Sequence, residues 1–167
     1  MESLIEKLSS YNILNNLIPG AVFVFMAKVL NIVLFPIDGI VESIFVYYFC
    51  GMIVSRIGSL VIETVFEKFK WIEYDTKAEY VNAVKKDERI ETLLETSNMY
   101  RTCAGLFLAL ATVKGYVILA GAVAIPKHIT IWLVIVALLV LFSASFVKQT
   151  RHIGRRIAAV NKTTEGR

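Results

Sequence analysis

The chain has 167 residues, 56% of them hydrophobic and 19% charged, with a formal net charge of +4 and a mean hydropathy of +0.63. Ordinary proteins are roughly 45–50% apolar and about 25% charged, and a soluble domain this small has too little interior to hide so much apolar surface. The apolar residues fall in long blocks, so a bilayer is the expected solvent, and one domain, residues 1–167, accounts for the length.

In chain order, Met1 to Tyr11 comes first. Leu4, Ile5, Leu8 and Tyr11 recur at helical spacing, away from Glu2, Glu6 and Lys7. This predicts a short helix lying under one leaflet. No small-residue cleavage site follows, so the first apolar block reads as a retained anchor. A spanning helix needs about 20 mainly apolar residues. Four blocks supply them, at residues 13–35, 40–66, 102–125 and 129–147. Pro36, Pro126 and Lys148 close the first, third and fourth. Asn15, Asn16, Pro19 and Gly20 interrupt the beginning of the first. Two readings fit there: a helix start, where proline forfeits nothing, or a broken helix lining a polar cavity. Strand readings are weak, because the blocks lack period-two alternation and a lone strand would expose unpaired backbone to lipid; the rival is a set of long buried soluble helices, for which only the middle segment and the tail could supply a polar surface. The expected fold is all-α: an integral membrane four-helix transmembrane bundle with short cytoplasmic helices between spans 2 and 3.

Residues 67–100 are the only soluble-looking body. Thr76 with Glu79 fits a capping box, followed by Tyr80, Val81 and Val84 on one face; Asp87 reads as a second cap, with Ile90, Leu93 and Leu94 behind it. Two short helices are therefore expected, broken near Lys85 and Lys86. Acids and bases nearly cancel here, so this is a solvated or protein-docking surface, and nucleic acid is not expected to bind directly. The tail, residues 148–167, is basic and amphipathic. Arg151, Arg155 and Arg156 lie apart from Ile153, Ile157 and Val160. These bases suit anionic lipid headgroups, and also serve as an ordinary positive-inside stop. Together with Lys85 and Lys86 they are candidate partner or lipid contacts.

Orientation follows from basic residues in the connections. The links around Pro36–Gly39 and Pro126–His128 hold one lysine, Lys127, whereas the middle segment and the tail hold most of the Lys and Arg outside the spans. Both termini and the middle segment are thus expected in the cytoplasm, with the chain in the inner membrane. Trp71 and Trp132 sit where interfacial aromatics belong.

Ionisable residues at membrane depth are costly. Lys28, Arg56, Glu63 and Lys114 are the candidates for a polar interior or a pore lining. Arg56 and Glu63 are two turns apart on one helix face. Lys28 has a stem long enough to snorkel. Lys28, Arg56 and Lys114 facing one wet cavity would bias it toward anions. Small residues recur at Gly51, Ser55 and Ser59, with Gly58 beside them, and at Gly105 and Ala109. Such stripes let helices approach closely, within one chain or between copies, and a homo-oligomer is expected.

No HExxH, GxSxG, P-loop or GxGxxG pattern is present. Cys50 and Cys103 lie apart in apolar blocks and read as small core residues. His128 and His152 fall on opposite sides of the expected membrane. No enzyme activity, metal or cofactor is expected.

Three runs carry a resemblance: residues 10–20 from Ser10 to Gly20, Tyr47-Tyr48-Phe49 through Val54 to Leu60, and residues 97–102 from Ser97 to Thr102. Together they resemble a group of small bacterial membrane proteins, across the first two-thirds of the chain. In size, span number and cytoplasmic faces the chain is also similar to the four-helix membrane subunit of the Kiwa phage-defence system. That resemblance implies an oligomeric membrane protein that holds a soluble cytoplasmic partner, in antiphage defence. The reading is a membrane-embedded, self-associating scaffold or sensor subunit that recruits a cytosolic partner protein. The alternative is a small oligomeric ion channel or membrane-perturbing effector. A transporter is weaker, because the two halves show no repeat and no paired broken helices.

Overall fold

The computed structural model describes residues 2–32, 39–72, 87 and 89–165, with side chains from Ile13 onward apart from those of 91, 156 and 159–165. Among these the chain is all-helical. Helix α1 is Glu2–Val29 and α2 is Ile40–Ile57. A π-helical turn, Gly58–Ile62, joins α2 to α3, Glu63–Lys68. Helix α4 is Arg89–Val123 and α5 is Lys127–Glu165.

Three stretches are long and apolar enough to cross a membrane: Ile40–Lys68, Thr92–Val123 and Lys127–Arg155. That is the signature of a multi-pass membrane protein. The first expected span is shorter than read from sequence. Its apolar helical stretch is Ile13–Val29, roughly 25 Å at the helical rise. Helix α1 ends at Val29 because Asn31 adopts a left-handed conformation, φ 53°. The Ile32 amide then reaches the Ala27 carbonyl at 2.9 Å and the Asn31 amide the Lys28 carbonyl at 3.0 Å. These are the two bonds of a Schellman cap, and the buried pair Ile32 and Ala27 closes it. The same device ends α3. Lys70 has φ 56°, the Trp71 amide bonds Phe66 and the Lys70 amide bonds Glu67, and the Phe66 and Trp71 rings meet at 5.2 Å. Ala124, φ 54°, turns α4 off ahead of Pro126.

Two expectations at the helix starts change. The leaflet-bound helix and the first span are one continuous helix that runs through Pro19. Proline forfeits a single amide donor there, and a packed neighbour supports the backbone. That neighbour is α2: a Cβ at Gly20 would overlap the Tyr47 carbonyl, and one at Gly51 the Asn16 carbonyl. The third span is likewise continuous with the helix before it. Helix α4 begins at Arg89, where the Asp87 carboxylate accepts the Arg89 amide at 2.9 Å, as an N-cap does. The helix expected at Thr76–Val84 lies outside the described residues.

Helix α2 is the hub. Helix α1 packs along it antiparallel through Gly20 and Gly51. Helix α4 packs antiparallel to α2 and also touches α1; Gly58 and Gly105 let the α2 and α4 backbones meet. The core between these three is Val24, Ala27, Val54, Leu106, Ala109 and Leu110. Helix α5 is held more sparsely. Its Phe142 ring lies 6.1 Å from Phe49, and at the turn end Thr130 shares a 2.7 Å hydrogen bond with Tyr116. Trp132, Leu139 and Phe146 are each at least 66% exposed. An apolar face this open suits lipid or another helix, not water.

Candidate functional site

The one charged side chain buried among the described residues is Glu63, 6% exposed. Its place is set by the π turn. The Glu63 amide bonds the Gly58 carbonyl, five residues back, where an α-helix would use four. The extra residue in the turn re-aims the side chains beyond it, and such turns recur at functional sites. Gly58 also fits this spot because a Cβ would press on the Arg101 carbonyl. Helix α4 therefore passes close, and Arg101 comes level with Glu63.

The Glu63 carboxylate has partners on three sides. The Arg101 guanidinium donates to Oε2 at 2.6 Å, and the Lys148 ammonium from α5 lies 3.2 Å from Oε1. The Ser59 hydroxyl donates to Oε2 at 3.3 Å. Lys148 Nζ also donates to the Ser59 carbonyl at 2.6 Å, a carbonyl exposed by the local loss of α-helical bonding. Taking a carboxylate out of water costs several kcal/mol, which pairing and hydrogen bonds must offset. Here α2–α3, α4 and α5 each contribute a group, so the cluster locks three helices in one register.

Beside Glu63 is a cavity of about 270 Å³, partly open to the surface, whose lining includes Arg56, Arg101, Lys148, Gln149 and His152. Ser145 lines it too and is buried, its hydroxyl donating to the Leu141 carbonyl at 2.7 Å. Arg56 has no carboxylate partner among the described residues. Arg101 Nε is buried without a hydrogen-bond partner. Three basic side chains face one carboxylate, so the cavity is electropositive.

The residues singled out from sequence part company here. Arg56 and Glu63 come together at the cavity. Lys114 does not join them. Its ammonium donates to the Leu30 carbonyl at 2.8 Å, so it caps the far end of α1, where a positive charge meets the negative end of the helix dipole. Lys28 is exposed on α1 and lines no part of the cavity. Gly51, Gly105 and Ala109 lie at helix contacts and Ser55 is half-buried, while Ser59 serves the charge cluster. Arg151 and Arg155 are exposed on α5. The side chain of Arg156, and Lys85 and Lys86 altogether, lie outside the described residues.

Arg101, Lys148, Ser145 and His152 were not legible as site residues. Lys148 entered only as the residue that closes the fourth block, and Arg101 only within the run from Ser97 to Thr102. The available signal was Glu63 itself: a carboxylate in an apolar helix requires cations from other helices, and these are the bases nearest the same ends of their spans. Among the described residues, no three His, Cys, Asp or Glu side chains converge as a metal site would require. Neither the protein-family models, nor the curated proteins, nor the solved structures contain a match to this chain.

Proposed function

We propose that the chain is a membrane-embedded, self-associating scaffold or sensor subunit that recruits a cytosolic partner protein. The observation that carries this reading is the continuity of α4 and α5. At 35 and 39 residues, each exceeds the roughly 30 Å of hydrocarbon it would cross, so each projects as a rigid rod beyond one membrane face. The Glu63, Arg101 and Lys148 cluster ties the two rods to α2–α3 where they emerge. A load on the projecting ends would therefore be felt inside the membrane. On this reading α1 makes a fourth crossing, both termini are cytoplasmic in the inner membrane, and the open apolar face of α5 meets lipid or a second copy. The channel alternative draws less support, because Lys28, Arg56 and Lys114 are dispersed and do not share one lumen.

The test is affinity purification of the tagged protein from its native host in mild detergent, with mass analysis of the co-eluting proteins. A stoichiometric soluble partner, lost when residues 75–96 are replaced by a flexible linker, is expected. A homo-oligomer with no such partner would overturn the recruitment reading.

A further inference from the structure

The cavity beside Glu63 has more positive charge than its own architecture consumes. Glu63 accounts for Arg101 and Lys148, which reach it at 2.6 and 3.2 Å. Arg56 lines the same space and has no carboxylate partner among the described residues. Arg101 keeps one buried donor, Nε, unused. A buried N–H without a partner costs about 1–3 kcal/mol, and such groups are rare enough in folded proteins to require an explanation. The cavity measures about 270 Å³ and is partly open, many times the roughly 10–15 Å³ that one water requires by the same measure. It is walled by side chains from α2–α3, α4 and α5, and donors outnumber acceptors on that wall: Arg56, Arg101, Lys148 and Gln149 all offer N–H groups.

From these features we infer that the cavity is a binding site for a phosphate group, with Arg56 as its main ligand and Arg101 and Lys148 as supporting charges already held in place by Glu63. Arginine suits this role because its planar fork of donors matches phosphate oxygens in pairs. Glu63 does not defeat it. It is already engaged by Arg101 and Lys148, and one carboxylate against three cations leaves the wall net positive. Phosphate could arrive on a lipid headgroup or free in solution. The cavity lies at the end of the apolar spans, a few residues before Phe66, Phe69 and Trp71, so both routes reach it. The inference does not depend on partner recruitment; only its lipid route depends on membrane insertion.

The experiment uses the full chain in two preparations. In one, it is released from mixed phosphatidylglycerol and phosphatidylcholine nanodiscs into mild non-ionic detergent, and retained lipid is counted by native mass spectrometry. In the other, it sits in pure phosphatidylcholine nanodiscs, and inorganic phosphate is titrated while thermal unfolding is followed. One retained phosphatidylglycerol per chain, or saturable stabilisation by inorganic phosphate, is expected, and which of the two responds identifies the source. Arg56→Gln should weaken the response about tenfold, as loss of a charge-assisted hydrogen bond implies. Arg56→Lys, which keeps the charge and is the fallback if the glutamine variant misfolds, should weaken it less. Lys68→Gln, exposed at the end of α3 and off the cavity wall, should leave it unchanged. The inference is overturned if neither ligand binds saturably, or if Lys68→Gln costs as much as Arg56→Gln, which would mean diffuse attraction to surface bases and no site.

Discussion

Arg101 on α4 and Glu63 at the head of α3 are 38 positions apart in sequence and 2.6 Å apart in space. Lys148 of α5 completes the same carboxylate. Glu63→Gln should therefore destabilise more than either Arg101→Gln or Lys148→Met, because it strands two cations at once. Removing one member of a buried pair costs on the order of 3–5 kcal/mol, and the partial exposure of both bases reduces this to about 2–3. Thermal unfolding in mild detergent measures it. A double-mutant cycle between Glu63→Gln and Arg101→Gln should show coupling above about 0.5 kcal/mol. Strict additivity would mean that the three helices are held together by other contacts.

The pattern of the sequence specified most of the fold and little of the site. Long apolar blocks closed by Pro126 and by the basic run after Phe146 were readable, because hydropathy acts locally. Asp87 was readable as a cap for the same reason. The features that escaped were set by neighbours. Pro19 and Gly20 fitted either a helix start or a break, and the continuous helix there depends on α2, whose backbone at Tyr47 and Gly51 leaves no room for a Cβ at Gly20. The end of α1 escaped because Val33, Leu34 and Phe35 continue the apolar pattern, while the left-handed turn at Asn31 has already stopped the helix. Glu63 was visible as an anomaly, but its partners were not, since sequence does not reveal which bases on other helices come level with it after a π turn.

Glycine replacements should divide sharply by position. A Cβ at Gly51 meets the Asn16 backbone and one at Gly105 meets the backbone of Val54 and Gly58, whereas nothing lies within 4 Å of a Cβ at Gly121 or Gly154. Gly51→Ala and Gly105→Ala should each force α2 away from a neighbour and lower the melting temperature by several degrees. Gly154→Ala should be neutral or stabilising by up to about 1 kcal/mol, through helix propensity alone. Equal effects at all positions would contradict the close approach of these helices.

Lys114→Met separates a cap from a pore lining. The ammonium donates to the Leu30 carbonyl at the end of α1, so its removal should cost about 1 kcal/mol of stability, the usual size of a charge at a helix C-terminus. Lys114→Arg should recover part of it. Liposome flux should be the same for parent and variant. A change in ion selectivity with unchanged stability would restore a lumen-facing role for this residue.

Ala124 should reward the substitution that usually harms a helix. Its φ of 54° costs an L-residue roughly 1–2 kcal/mol, and it lies at the left-handed position where glycine is the common choice. Ala124→Gly should therefore raise stability by about 0.5–1 kcal/mol after the added chain entropy of the unfolded state is subtracted. A decrease would show that the α4–α5 turn is not left-handed at this position.

The number of crossings turns on α1. Its apolar part, Ile13–Val29, falls slightly short of the hydrocarbon thickness, yet it lies antiparallel against α2, which with the π turn and α3 forms a stretch, Ile40–Lys68, long enough to cross. Two helices in that contact share a depth, so α1 should cross with α2 and leave the N-terminus on the same side as the tail. Single cysteines test this after Cys50 and Cys103 are replaced by serine. Gly39→Cys, exposed at the start of α2, should react with a membrane-impermeant maleimide on intact spheroplasts. Lys68→Cys, exposed at the end of α3, should react only after lysis, as should Ser3→Cys near the N-terminus. Labelling of Ser3→Cys from outside alongside Gly39→Cys would leave three crossings, and the contact between α1 and α2 would then have to form at the membrane surface.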